Sequence, residues 1–526
     1  MTTQKTQDSS RSGSNEDLTG NARLTRNVFS SWGSHLVFVV AGFVLPRLID
    51  SHIGQFSLGI WDFCWSLVNY LNFAGIGVGT SVNRYVAKYR AAGEVEELRR
   101  TISSVAVIQA IIGLSVALAS AALFFALPLF FADRLGTHLD VTRWVVALLG
   151  ASLAVQMALD TYRGVITGCH RWDLHNGINA GSYAITVVGM IVALLYGGEL
   201  LSMALIYFFG VVLGEIIRVI VAHRVCPELR IRWSYAGWSY GKKAIVFGGK
   251  TMLLGLPPYL MTQTISIVIA ATLGPAALAV FSRPMGLVRH IEVFVNKFAF
   301  ILTPMAGSLQ GTSRTEELRE LATEGARWGV AFTLPPVLLL AILGDSLITV
   351  WMGAAYVHPT LLPILAIGMF PGIGQNSVLR VLMGMNLHGR VGLVCLIIAV
   401  VILGIGITAL NVLGWSLTGA AVLMMLSLAI PYGVVMPVYA CRQLGIPVGT
   451  YISRVFSVPV LCGAIFALPL AASRYLFSEN ALITLIAGSL SGGILLTAMY
   501  WSWLFSEEVR SNVRRTVFPS RAGNPG

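Results

Sequence analysis

The chain has 526 residues, of which 56% are hydrophobic and only 11% charged, with a formal net charge of +12 and a mean hydropathy of +0.75. A soluble domain carries about 25% charged residues, so the composition excludes a soluble globular protein and describes an integral membrane protein. In such a protein surplus Lys and Arg marks cytoplasmic loops, so the positive balance points to no nucleic-acid partner.

Residues 1–26 are polar, rich in Ser, Thr and Asn, and lack the apolar core and cleavage site of a signal peptide. They read as a disordered cytoplasmic tail. Fourteen apolar stretches follow, each near the ~20 residues that cross ~30 Å of hydrocarbon. They cover roughly 27–49, 54–80, 102–131, 142–168, 176–198, 200–222, 243–272, 275–305, 327–351, 358–384, 390–413, 415–440, 450–472 and 479–505. With the N-terminus inside, the internal segments hold 25 of the 36 Lys and Arg residues, whereas the external ones hold only Arg134, Arg143 and Arg474. That bias places both termini in the cytoplasm. The six cysteines are scattered and show no disulfide framework.

Glu96-Glu97-Leu98-Arg99 follows the second span, and Glu316-Glu317-Leu318-Arg319 follows the eighth, 220 residues later. Both tetrads fall at the same point in two runs of six spans. Six is even, so both halves enter the membrane from the same side and the repeat is parallel. The chain therefore divides into the tail 1–26, a six-helix lobe 27–222, a cytoplasmic linker 223–242, a second six-helix lobe 243–440, two additional helices within 441–505 and a cytoplasmic tail 506–526. The expected fold is all-α and polytopic, with two six-helix parallel-repeat bundles around a central cavity and two C-terminal helices. Two bundles around a cleft are a transporter architecture.

Span eight is the most informative. It crosses the bilayer yet carries Arg283, Arg289, His290, Glu292 and Lys297. A charge at the bilayer centre costs ~2.5–3.5 kcal/mol on insertion scales and normally faces a cavity or a partner. Arg283, His290 and Lys297 are spaced seven and seven, so they share one helix face over ~21 Å; Arg289 and Glu292 lie i,i+3 on another face, where they can pair. The face points to a cationic cavity for an anionic, lipid-carried substrate. The competing reading is a set of ion pairs that fix helix packing.

Other intramembrane charges extend the set. Lys250 in span seven precedes Pro257-Pro258, where the helix is expected to kink. Arg47, after Pro46, and Asp62 lie near the outer ends of spans one and two; they can pair as an external gate, or Arg47 can reach the surface alone. Arg380 has the same ambiguity near the inner end of span ten. Asp160 with Arg163 and Glu215 with Arg218 form i,i+3 pairs that fit a structural role. Asp62, Asp160 and Glu292 are the carboxylates that suit ion coupling or gating. Phe247-Gly248-Gly249-Lys250-Thr251 resembles a phosphate loop but has Ala244 where that loop needs Gly, and it lies in a span. Cys169, His170 and His175 read as an ordinary cytoplasmic turn, so no metal is expected. No nucleophile–base or paired-acid constellation stands out.

The run from Gly75 through Asn83-Arg84-Tyr85, Lys88 and Arg90, continued by Glu96-Glu97-Leu98-Arg99-Arg100, resembles the end of the second helix and the following linker of polysaccharide flippases in the multidrug/oligosaccharidyl-lipid/polysaccharide exporter superfamily. Pro304 through Arg319 is similar to the second-half counterpart, and the pattern of twelve plus two helices covers nearly the whole chain. The resemblance implies flipping of a polyprenyl-pyrophosphate-linked oligosaccharide from the cytoplasmic to the periplasmic leaflet of the bacterial inner membrane, by alternating access, with helices one, two, seven and eight lining the cavity. It implies glycosyltransferases and a glycan polymerase as neighbours, and we expect a monomer that needs no cofactor.

On this reading Arg283 and Lys297 grip the diphosphate, with His290 between them and Lys250, Arg289 and Arg47 in support. A proton, sodium or the membrane potential drives the cycle. Rival readings are a peptidoglycan-precursor lipid flippase, which also has fourteen spans, and a multidrug or cation antiporter of the same superfamily. An integral-membrane glycan polymerase or ligase usually carries a large periplasmic loop; here the largest external connection spans ~10 residues, within boundaries that shift by ±2–4.

Overall fold

A computed structural model describes residues 21–75, 78–505, 507, 510 and 511, with only the backbone course at 21–29, 74, 78–80 and 247–255. The described residues are helical throughout, without a strand. The N-terminal half runs α1 (Asn21–Leu71), α2 (Val78–Ala92), α3 (Val95–Leu135), α4 (Leu139–Gly168), α5 (Trp172–Leu195) and α6 (Leu200–Val225). The next six are α7 (Trp238–Thr272), α8 (Pro275–Ala299), α9 (Leu302–Gly311), α10 (Thr315–Trp351), α11 (Leu361–Gly374) and α12 (Asn376–Gly384). The last are α13 (His388–Leu413), α14 (Leu417–Leu428), α15 (Met436–Leu444), α16 (Val448–Leu476) and α17 (Ala481–Met499). The predicted tails fall largely outside the described residues, but α1 begins at Asn21, inside the stretch expected to be disordered.

Ten stretches are long and apolar enough to cross a membrane. Two of them, Ser30–Leu71 and Val95–Gly168, each contain two of the predicted spans. The first is divided at Gly54, whose φ of 84° only glycine adopts without strain. The remaining two predicted spans are α7 and α8, and the charges of α8 keep it out of the apolar class. α7 runs on through Pro257-Pro258 as one helix, so the expected kink does not break it.

The repeat is written into the backbone. After α2, Gly93 takes φ 71°, and the amides of Gly93, Glu94 and Val95 donate to the carbonyls of Arg90, Tyr89 and Gly93. After α9, Ser313 takes φ 57°, and Ser313, Arg314 and Thr315 repeat that pattern onto Gln310, Leu309 and Ser313. A non-glycine residue in this left-handed region costs roughly 1–2 kcal/mol, so the second copy keeps the turn at a price the first avoids. In the two tetrads, Leu98 and Leu318 are 1% and 4% exposed. Arg99 Nε donates to the carbonyl of Glu228 at 3.1 Å, and Arg319 Nε to that of Leu444 at 2.6 Å. Each arginine thus ties its linker to the segment at the end of its own half.

The chain forms two compact units. The first comprises the chain up to Leu48, Leu71–Leu129 and Asp140–Gly249. The linker between α6 and α7 is held down, because Ser103 and Ser104 accept from the amides of Arg232 and Gly237, and Tyr240 donates to Glu97. The second comprises Ile49–Tyr70, Phe130–Leu139 and the chain from Lys250. Within it, a Cβ at Gly59 would lie 1.8 Å from the Pro275 carbonyl oxygen, so only glycine lets these two segments approach. The additional helices α16 and α17 pack on α10 through Leu343, Cys462, Phe466, Leu470 and Met499.

Candidate functional site

Each unit contains a polar cavity inside its own bundle. The second unit's cavity has a volume of about 370 Å³. One wall is the α8 face formed by Met285, Arg289, Glu292 and Asn296, a 4-3-4 spacing that places all four on one stripe. Arg380 and Asn376 of α12 form another wall, with Tyr259 and Tyr432 beside them.

Arg380 makes no ion pair among the described residues. Its Nη2 donates to Asn296 Oδ1 at 3.3 Å, its guanidinium lies 5.6 Å from the Phe300 ring centre, and its buried Nε has no hydrogen-bond partner. A buried donor left without a partner costs ~1–3 kcal/mol. Arg289 and Glu292, which the sequence allows to pair, form no ion pair within 4 Å. Both face the cavity instead. Two guanidiniums against one carboxylate leave the lining net positive. Paired N–H donors of arginine match a phosphate or carboxylate with two parallel hydrogen bonds.

The first unit's cavity is larger, about 540 Å³, and differently charged. Asp160 and Arg163 pair at 2.7 Å, and Glu215 pairs with Arg218; all four line it. Gln109 Nε2 donates to Asp160 at 3.2 Å, while Arg218 Nη2 donates to Asn179 Oδ1 at 2.6 Å. Asn179 in turn meets His175 Nε2 at 3.1 Å. Glu215 Oε2, Arg218 Nε and His175 Nδ1 are buried without a partner among the described residues. The sequence shows the two ion pairs; it does not show that four helices bring them to one cavity.

The predicted cationic face of α8 is divided by the fold. Arg283 lines neither cavity. Its side chain is 6% exposed and pairs with Asp62, the carboxylate otherwise expected to pair with Arg47. Arg47 is exposed. His290 and Lys297 are half-buried and also line neither cavity. The Lys250 side chain lies outside the described residues. Of the predicted cations whose side chains are described, Arg289 lines one of these two cavities, where Arg380 joins it. The sequence carried a weak signal for Arg380: no carboxylate lies three or four residues from it, unlike Arg163 and Arg218. Glu292 and Asp160 reach cavities, Asp62 does not. No group of three or more His, Cys, Asp or Glu residues able to hold a metal occurs among the described residues.

Comparison with known proteins bears on the family and the fold. A family described as polysaccharide biosynthesis protein matches residues 24–310. The chain is similar in structure to the lipid II flippase MurJ in an inward closed conformation, with TM-score 0.66 and 12% identity over 92% of this chain and 100% of that one. It is also similar to an inward-facing multidrug resistance MATE family transporter of the MOP superfamily, with TM-score 0.61 and 13% identity over 80% and 97% of the two chains. A MOP superfamily transporter from Pyrococcus furiosus, described as having a binding pocket of reverse polarity, matches with TM-score 0.60 and 15% identity over 81% and 97%. No curated protein matches the chain. At these identities the structural likenesses establish a shared fold, that of the superfamily's polytopic transporters.

Proposed function

The chain belongs to the family of polysaccharide biosynthesis proteins, and from that premise we propose that it flips a polyprenyl-pyrophosphate-linked oligosaccharide from the cytoplasmic to the periplasmic leaflet of the bacterial inner membrane. It is a transporter with no covalent step, working by alternating access with both termini in the cytoplasm. The observation that carries the reading is the second unit's cavity, where Arg289 and Arg380 make no ion pair among the described residues.

The physical problem is a diphosphate that must pass through hydrocarbon while its polyprenyl tail stays in lipid. A diphosphate offers two phosphoryl faces. Arg289 and Arg380 supply a guanidinium for each, and the Asn296 and Asn376 amides supply neutral donors. A hydrogen bond to a charged group contributes ~1.5–3 kcal/mol, so the pair offsets part of the anion's desolvation. Glu292 lowers the cavity's potential, so the lining is not so cationic that it holds the anion permanently. It is also the carboxylate best placed to respond to a proton or sodium ion. A cationic drug is disfavoured in a cavity with two arginines and one glutamate.

The test is leaflet exposure of a fluorescent polyprenyl-pyrophosphate oligosaccharide in proteoliposomes. Protein-dependent movement to the opposite leaflet is expected. No movement with sealed, oriented protein under an imposed ion gradient, together with gradient-driven efflux of an organic cation, identifies a drug antiporter instead.

A further inference from the structure

The first unit's cavity is the larger of the two, and diphosphate recognition gives it no role. Its charge argues against an ion. Asp160–Arg163 and Glu215–Arg218 are closed pairs, so the lining sums to zero, and an entering anion or cation must first pull one pair apart. The rest of the polar lining is neutral and planar, the amides of Gln109, Gln156 and Asn179, each of which spends one N–H on Asp160, the Ser152 carbonyl or His175 and has a second N–H to offer. Beside them, Phe38 and Tyr183 stack on each other with ring centres 4.5 Å apart and border the cavity with aromatic surface.

Two atoms sharpen the match. Glu215 is 4% exposed and keeps Oε2, an acceptor, without a partner; Arg218 is 9% exposed and keeps Nε, a donor, without one. A hydroxyl is donor and acceptor at once, so a vicinal pair of hydroxyls answers both. A molecule with an apolar C–H face and a rim of hydroxyls fits the aromatic surface and the polar wall together. The volume lies within the ~300–1,000 Å³ typical of ligand pockets.

We infer that the first unit's cavity binds a neutral pyranose unit of the transported glycan; this rests on the flippase reading for its biological role, though not for its chemistry. The sugar lays its C–H face on Phe38 and Tyr183 and directs its hydroxyls to Gln156, Asn179, Glu215 and Arg218. Both ion pairs stay closed and hold those groups in place.

The test uses saturation-transfer NMR on the full chain in detergent. The probes are methyl glycosides of glucose, galactose, mannose, rhamnose and N-acetylglucosamine, with methyl phosphate as the charged control. At least one glycoside is expected to take up saturation on its ring protons with low-millimolar affinity. Gln156→Leu, which removes the amide at nearly constant volume, and Ser182→Phe, which fills the cavity, are each expected to weaken it at least tenfold. Arg289→Gln/Arg380→Gln, in the other unit, is expected to leave it unchanged. Melting temperatures close to wild type verify that the variants fold. Absence of saturation from every glycoside, saturation that survives both first-unit variants, or saturation of methyl phosphate alone overturns the inference. Leaflet exchange without glycoside binding removes this site and keeps the flippase reading. Glycoside binding without leaflet exchange does the reverse.

Discussion

The two cavities lie in different compact units and solve opposite electrostatic problems. In the first unit, each arginine has a carboxylate one turn away on its own helix, Arg163 with Asp160 and Arg218 with Glu215. In the second, Arg380 has no carboxylate within ion-pair distance among the described residues, and Arg289 stands near Glu292 without closing a pair. The difference shows that the number of charges in a membrane bundle says little about its ligand. What matters is whether the charges are already spent on each other. A self-paired lining is polar and neutral; an unpaired one is a ready site for an anion.

Substitutions in each unit put this contrast to the test. The largest effect is expected from Arg289→Ala/Arg380→Ala. Each charge-assisted contact is worth ~1.5–3 kcal/mol, so loss of both should cut leaflet exchange at least ~100-fold while the melting temperature stays near wild type. Next comes the buried pair that lines neither cavity. Arg283→Met strands the Asp62 carboxylate, and breaking a buried pair from one side costs ~3–5 kcal/mol. The melting temperature should fall steeply, and Asp62→Leu with Arg283→Met should recover most of it. Recovered stability with full transport marks the pair as architectural; recovered stability with no transport moves Arg283 into the transport machinery.

Glu292→Gln should act in the opposite sense. Removing one negative charge beside Arg289 favours a bound anion by about 1 kcal/mol, seen as a roughly fivefold tighter dissociation constant for inorganic pyrophosphate. Weaker binding would show that Glu292 positions Arg289. The smallest change probes the repeat itself. Arg99→Ala and Arg319→Ala each remove one Nε donor from a backbone carbonyl, and each should cost ~1 kcal/mol in unfolding measurements. A large inequality between them would mean that the two linkers do not carry equivalent roles.

The fold was legible because its signals are local and long. Hydropathy marks the helices, and the Glu-Glu-Leu-Arg tetrads mark the repeat, whose turns at Gly93 and Ser313 then match bond for bond. The site was legible only in part. Helical periodicity places Arg283, His290 and Lys297 on one face but cannot say what that face meets. Asp62, 221 positions away in sequence, takes Arg283 out of circulation. The face that does line a cavity, through Arg289, Glu292 and Asn296, has the same periodicity and fewer basic residues. Likewise Asp160–Arg163 and Glu215–Arg218 are visible as pairs along the chain, whereas their convergence, with Gln109 and Asn179, arises only from the packing of α3, α4, α5 and α6. Long-range pairing is the information that a single sequence lacks.

In the proposed mechanism Arg289 and Arg380, which make no ion pair among the described residues, recognise a lipid-linked diphosphate. Its most direct test is equilibrium binding of three short-chain polyprenyl lipids to the purified protein: the pyrophosphate, the monophosphate and the free alcohol. The account predicts affinities falling in that order, with the differences collapsing in Arg289→Gln/Arg380→Gln. Equal binding of all three lipids, or an order that survives in the double variant, would contradict it.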